Sequence, residues 1–245
     1  MRRLLLALTA PDMSEVIKRL LLFGTLLTWC AALLLFRFVR SESFFFDFLI
    51  WNLFLAAIPA VAAWFFVRTA ERRSSALAQV SWFAIWLAFL PNAPYIVTDF
   101  MHLDARPPIP LWYDVALLAS CAGTGLLLAY SSLSDVQAII TRKFSTFLGW
   151  ALALVALFLS GFGIYLGRFL RWNSWDALTN PLQLFSDISD RALHPLSYPQ
   201  TVGVTLIYGV GLFLGYIALR VLRPSIGSAG ARLRSKRQAF SQADK

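Results

Sequence analysis

The chain is organised as apolar stretches separated by short polar connections, and six of those stretches are about as long as a bilayer is thick. A spanning helix needs about 20 mostly apolar residues, each rising ~1.5 Å. Residues 20–38, 44–67, 76–97, 111–131, 144–165 and 201–221 meet or approach that requirement. The third stretch differs from the rest because Pro91 and Pro94 interrupt it, each removing an amide donor and restricting the residue before it. It still counts as a span, since without it the basic residues on either side would lose their alternation. Between the fifth and sixth spans, Asn180 and Pro181 mark a helix start with proline in its first turn. Leu182, Phe185, Ile188 and Ala192 then recur at helical spacing while Asp187, Asp190 and Arg191 fall elsewhere. This pattern predicts an amphipathic helix lying on the outer leaflet or lidding polar groups beneath it. His194 and Pro195 end it, and His194 reads as an exposed loop histidine.

The predicted fold is an all-α polytopic membrane bundle of six transmembrane helices, with a Pro-broken third span and one amphipathic external helix. A single membrane domain covers 1–245, with 1–19 an amino-terminal segment, 20–221 the bundle and 222–245 a basic tail. Composition agrees: 58% of residues are hydrophobic and 14% charged, against about 25% charged in soluble domains, and the mean hydropathy is +0.65. Lys and Arg number four in the amino-terminal segment, three after the second span, two after the fourth and seven from Arg220 onward. The opposite side carries two, one and three. The positive-inside rule therefore predicts that both termini are cytoplasmic.

This bias accounts for most of the net charge of +9. The tail has no aromatic interleaving beyond Phe240, so it reads as a disordered segment on anionic lipid, with no nucleic-acid partner. Residues 1–10 mimic a signal peptide, yet Pro11 suits a cleavage junction badly, and the segment is expected to remain as a membrane-surface element. Asp12 and Glu15 have the spacing of a capping box at the start of the first helix. Cys30 and Cys121 fall in the middle of spans and read as small packing residues. In the last span Gly203, Gly209, Gly211 and Gly215 recur, and Gly211 and Gly215, four apart, suit a helix-packing face.

Two polar clusters at membrane depth carry the candidate chemistry. The first is residues 90–104, LPNAPYIVTDFMHLD. Prolines around Asn92 free backbone carbonyls, which is tolerated in a membrane only inside protein or along a wet cavity. If a helix resumes at Ala93, Tyr95, Asp99 and His102 share one face and Ile96, Phe100 and Leu103 the other, with Asn92 as the cap. Asp99 and His102 are the candidate general base, proton relay or metal ligands. A closed metal site needs about three protein ligands and the only other histidine is His194, so no metal site is assigned.

The second cluster is residues 161–176, GFGIYLGRFLRWNSWD. Arg168, Arg171 or Trp172, and Trp175 follow helical spacing, which would put two guanidinium forks on one face, suited to carboxylates or phosphates. The competing reading is an interfacial aromatic belt with snorkelling arginines. Asp47, Asp99, Asp104, Asp114 and Asp176 lie on the same side and offer Arg168 and Arg171 internal salt bridges instead. Asn92, Tyr95, Asp99 and His102 from the first cluster are the candidate ligand contacts. Arg168, Arg171, Asn173 and Asp176 join them from the second, with Asp114 from the start of the fourth span.

LPNAPYIVTDFMHL together with GIYLGRFLRWNSWD resembles a bacterial membrane family known as domain of unknown function thirteen sixty-one, from the second span through the sixth. The resemblance implies a multi-span inner-membrane protein with these motifs as its signature, and it transfers no activity. Three classes of function follow from the residues. One is a membrane binding protein recognising an anionic or zwitterionic, lipid-linked or exported ligand, with the lipid bilayer as its standing partner. Another is an enzyme with Asp99 or His102 as base and Arg168 as anion clamp, for which only Ser174 and Thr98 stand near as nucleophiles. The last is a small transporter or channel, pointed to by the broken span and by Asp47 and Asn52 in the second, though no internal repeat accompanies them.

Overall fold

A computed structural model of the protein describes residues 13–72, 74–172 and 176–222. These residues contain no strand, and six helical stretches are long and apolar enough to cross a membrane. The elements are α1 (Met13–Ser41), α2 (Phe48–Glu71), α3 (Ala76–Phe89), the short α4 (Asn92–Tyr95), a 3-10 segment (Ile96–His102), α5 (Leu111–Lys143), α6 (Thr146–Arg168), the short α7 (Asp176–Thr179), α8 (Pro181–Leu193), a 3-10 turn (Pro195–Ser197) and α9 (Pro199–Leu222). The protein is a multi-pass membrane protein with the architecture that the hydropathy pattern predicts. The capping residue Asp12, residues 1–10 and the basic tail lie outside the described residues.

α5 is the centre of the bundle, with 56% of its most apolar window buried, whereas the corresponding window of α1 is only 6% buried. α2 and α6 pack on α5, α3 packs on α2, and α9 lies along α6. α1 leans mainly on α5. Close approach of α6 and α9 depends on small residues: a Cβ at Gly161 would lie 2.7 Å from the Thr205 carbonyl oxygen, and one at Gly209 would lie 2.9 Å from the Phe158 ring. Gly215 abuts the Tyr130 hydroxyl, while Gly203 and Gly211 face open space. The expected Gly211 and Gly215 face is therefore not one packing surface: Gly209 makes a close contact with α6 and Gly215 one with α5.

Two boundaries differ from the hydropathy reading for a physical reason. α5 continues past Ser131 to Lys143, because Ser132, Ser134 and Gln137 are buried against neighbouring helices and a polar residue ends an apolar run without ending a helix. α1 likewise continues through Arg37 to Ser41. Arg37 is not a connecting-loop cation. Its Nε and Nη2 donate to the two carboxylate oxygens of Asp114 at 2.8 and 3.2 Å, with both side chains buried. Its guanidinium also lies 4.5 Å from the Phe46 ring centroid.

The ion pairs mark the two ends of the bundle. At one end Arg19 meets Asp135 (2.7 Å), Arg142 meets Glu71 (3.4 Å) and Lys143 donates to Gln79 (2.7 Å). At the other lie Arg37 with Asp114, His102 against Phe48 (ring centroids 5.3 Å apart) and the carboxyl ends of α3 and α6.

Candidate functional site

The site begins with the failure of α3 to continue. The Leu90 amide still bonds the Trp86 carbonyl (2.9 Å), but neither Pro91 nor Pro94 has an amide proton to extend the ladder. Asn92 is the first residue of the new helix, and Pro91 stands at the cap position. The Asn92 Nδ2 donates back to the Phe89 carbonyl (3.1 Å), one of the acceptors the break releases. The chain then tightens into the 3-10 segment, whose period of three differs from the α-helical period in the sequence expectation. Ile96 is consequently buried instead of facing away with Phe100, and Thr98, three residues after Tyr95, joins the polar face.

α6 lies against this break through two glycines four residues apart. A Cβ at Gly163 would sit 2.6 Å from the Pro91 Cβ, and one at Gly167 would sit 2.9 Å from the Tyr95 ring. With those faces flat, the next residue, Arg168, is carried over the broken segment. Its guanidinium lies 4.5 Å from the Tyr95 ring centroid. Nε and Nη2 donate to the Thr98 hydroxyl at 2.8 and 2.6 Å, and Nη2 also donates to Asp99 Oδ1. Nη1 donates to His102 Nε2 at 2.9 Å.

Arginine is donor-only, so in this contact Nε2 of His102 takes the acceptor role. Asp99 is 1% exposed and receives a second bond on Oδ2 from Asn52 Nδ2 (2.9 Å). The Thr98 hydroxyl, having accepted from Arg168, donates its own proton to the Tyr95 carbonyl (2.7 Å). A guanidinium and a carboxylate of opposite sign thus stand side by side, the carboxylate fully buried and the guanidinium nearly so.

Beside it lies a cavity of about 270 Å³ whose walls include Trp51, Asn52, Asn92, Tyr95, Trp172 and, from α8, Leu184. Asn52 and Tyr95 belong both to the cavity wall and to the ionic cluster, which stands one layer behind it. The indole of Trp172 donates to Asp187 of α8 (2.9 Å), and Asp187 pairs with Arg191 (3.4 Å). The amphipathic helix is in this way attached over the cavity.

A family model described as a protein of unknown function (DUF1361) matches residues 51–218. The chain belongs to this family. The DUF1361 match takes in the broken span, α6 and α8, and so every residue of the cluster and the cavity, while α1 lies outside it. No curated protein and no solved structure matches the chain.

Within this DUF1361 chain the sequence-derived residues divide sharply. Tyr95, Asp99, His102 and Arg168 come together, and Asn92 reaches the same cavity. Arg171 does not share a face with Arg168, because α6 ends at Arg168 and Arg171 turns the chain with φ at 60°. That left-handed conformation costs a non-glycine residue roughly 1–2 kcal/mol, and it leaves Arg171 exposed. The Trp172 amide meanwhile reaches back to the Leu166 carbonyl (3.1 Å). Asp114 is engaged by Arg37 and not by Arg168. Asp176 opens α7 and accepts from the Thr179 hydroxyl (3.4 Å). Asn173, Ser174 and Trp175 lie outside the described residues.

His194 is exposed at the end of α8, with its Nδ1 3.0 Å from the Asp190 carboxylate. Among the described residues no three His, Cys, Asp or Glu side chains gather at metal-binding distance.

Thr98 and Asn52 are the partners that sequence reasoning undervalued, and Trp51, Gly163 and Gly167 are the ones it passed over. A signal for the glycines existed: their spacing of four, directly before Arg168, suits helix contact through small residues.

Proposed function

We propose that this protein binds a small zwitterionic ligand, lipid-linked or exported, in the cavity beside the Arg168 and Asp99 pair. We place it in the bacterial inner membrane with both termini cytoplasmic, so that the cavity faces outward. The excess of Lys and Arg on one side of the predicted spans supports that orientation.

The observation that carries the reading is the double membership of Asn52 and Tyr95, which line the cavity while contacting the buried ion pair. Ionisable groups at membrane depth are expensive and mark functional sites by default. Here they hold an amide and a phenol ring at the wall of a cavity that also presents Trp51, Trp172 and Asn92. Aromatic faces suit a cationic group, and side-chain amide groups such as those of Asn52 and Asn92 suit an anionic one. A ligand carrying both is favoured over a plain anion because Asp99 already neutralises Arg168.

The enzymatic reading has less support. The Thr98 proton is directed to the Tyr95 carbonyl and the His102 Nε2 lone pair is held by Arg168, so these two do not form a nucleophile and base. A transport reading rests on the broken span and on Asp47 and Asn52, and Asn52 is engaged by Asp99.

The test is a thermal-shift series on the full chain in detergent with phosphoethanolamine, glycerol phosphate and glycerol as probes. Stabilisation by phosphoethanolamine that Trp51→Ala and Asn52→Ala reduce supports the reading. Equal stabilisation by glycerol phosphate reverts it to an anion site, and no shift with any of the probes or with phosphatidylethanolamine removes it.

A further inference from the structure

A second cavity among the described residues is larger than the polar one. An apolar groove of about 640 Å³ runs between α5 and α9, touching Val97 of the 3-10 segment, with Leu126 and Leu127 on one wall and Ile207, Leu212 and Leu219 on the other. Gly211 forms part of its floor, and a Cβ there would meet nothing within 4 Å. Along α9 the groove extends from Ile207 to Leu219, which at ~1.5 Å per residue is about 18 Å. One leaflet of a hydrocarbon core ~30 Å thick is about 15 Å deep. The groove therefore has the depth of a single leaflet, too short for a second transmembrane helix to lie in along its whole length.

The end of the groove shows which leaflet. One turn beyond Tyr130 on α5 stands Ser134, and next to Leu219 on α9 stands Arg220, whose Nη1 donates to the Ser134 hydroxyl (3.2 Å). That contact uses one of the five N–H donors of the guanidinium. Its other neighbours are the ring faces of Trp150 (5.8 Å) and Tyr216 (5.9 Å). Asp135, adjacent to Ser134, is taken by Arg19 at 2.7 Å. Among the described residues no carboxylate pairs with Arg220, and Arg220 is exposed. An apolar channel one leaflet deep thus ends at an uncompensated guanidinium at the basic end of the bundle.

We propose that the α5–α9 groove is a binding site for one anionic phospholipid of the leaflet at that end, with an acyl chain between the helices and the phosphate on Arg220. Snorkelling by a helix-end arginine accounts for its position but not for a groove leading to it. Basic pockets between transmembrane helices select anionic headgroups by this chemistry. The site is separate from the outward cavity and does not depend on what that cavity binds.

The test is native mass spectrometry of the full chain released from detergent with phosphatidylglycerol or phosphatidylcholine of identical acyl chains. The chain should retain phosphatidylglycerol preferentially, and Arg220→Gln should reduce that preference about fivefold, the equivalent of one cation at ~1 kcal/mol. Gly211→Leu, which places its side chain in open groove and not in protein, should lower retention of both lipids. Gly203→Leu, also facing open space on α9 but outside the groove, should not. Preference unchanged by Arg220→Gln, or retention unchanged by Gly211→Leu, overturns the proposal. So does efficient disulfide crosslinking of Gly211→Cys between two copies in native membranes, which would give the groove to a second chain.

Discussion

Asn52 and Arg168 hold opposite oxygens of one carboxylate: Asn52 Nδ2 donates to Oδ2 of Asp99 at 2.9 Å, and Arg168 Nη2 donates to Oδ1. Three spans, α2, the broken third and α6, are tied together through that single buried group. A carboxylate so placed reports on all three at once, and a change on its Asn52 side reaches the cavity directly.

Breaking the pair from one side should cost far more than removing it whole. Asp99→Asn or Arg168→Gln alone leaves a buried group without its counterion, and each should destabilise by about 3–5 kcal/mol. The double substitution should fall well short of the sum. Thermal and denaturant unfolding in detergent checks this, and additive losses would mean that the two groups do not act as a pair.

Arg37 and Asp114 form a second buried pair with no partner shared with the first. Arg37→Gln should also destabilise by about 3 kcal/mol, yet leave any stabilisation by phosphoethanolamine intact, whereas Asn52→Ala should reverse that pattern. Side-by-side thermal-shift curves separate the two outcomes.

Gly163 should not tolerate a side chain. Its Cβ would stand 2.6 and 2.8 Å from two atoms of the rigid Pro91 ring, and overpacking of this kind costs typically 1–3 kcal/mol. Gly163→Ala should lower the melting temperature and draw Arg168 away from Thr98. Gly24→Ala, at a position with nothing within 4 Å, is the matched control and should be near neutral.

Trp172→Phe keeps an aromatic wall but deletes the N–H donor to Asp187 of α8. α8 has no buried residue of its own, so losing a bond to a charged acceptor, worth roughly 1.5–3 kcal/mol, should free it. Hydrogen exchange across Pro181–Leu193 should accelerate with little change in the spans. Unaltered exchange would show that α8 is held by other contacts.

The junction of α8 and α9 should be indifferent to pH over a wide range. The Tyr198 hydroxyl donates to Asp190 and holds that carboxyl below its ordinary value, with His194 adding to the effect, while the same contact pushes the Tyr198 phenol up. For the acid, the stabilisation is complete above the ordinary carboxylate value near about 3.9 and is lost as pH falls through the depressed one. For the phenol it is complete below about 10 and is lost as pH rises through the elevated one. Nuclear magnetic resonance titration of Asp190 should show its pKa rising toward the ordinary value in Tyr198→Phe.

What could be read from the chain was whatever depends on local order. Bilayer-length apolar runs specify spans without reference to partners, and two prolines specify a break wherever the segment packs. Tyr95, Asp99 and His102 were visible as a cluster for the same reason. The meeting of Asp99 with Arg168 was not fixed by local pattern, since it depends on α6 resting flat on Pro91 and Tyr95 through Gly163 and Gly167. The first apolar stretch takes in Arg37, but its buried pairing is not legible there, because the carboxylate that permits it to stay inside lies 77 residues away. Helical spacing puts Arg171 on the face of Arg168, but the helix ends at Arg168, three residues short of Arg171.

The separation of 77 positions between Arg37 and Asp114 also sets a schedule for assembly. α1 is held less by burial than by contacts along α5, from Arg19 with Asp135 at one end to Arg37 with Asp114 at the other. At about 5–20 residues per second, Arg37 is synthesised on the order of ten seconds before the aspartate that neutralises it. For that interval the first span must carry an unmatched cation near the membrane boundary, and whatever shelters it there acts before the protein has a fold to recognise.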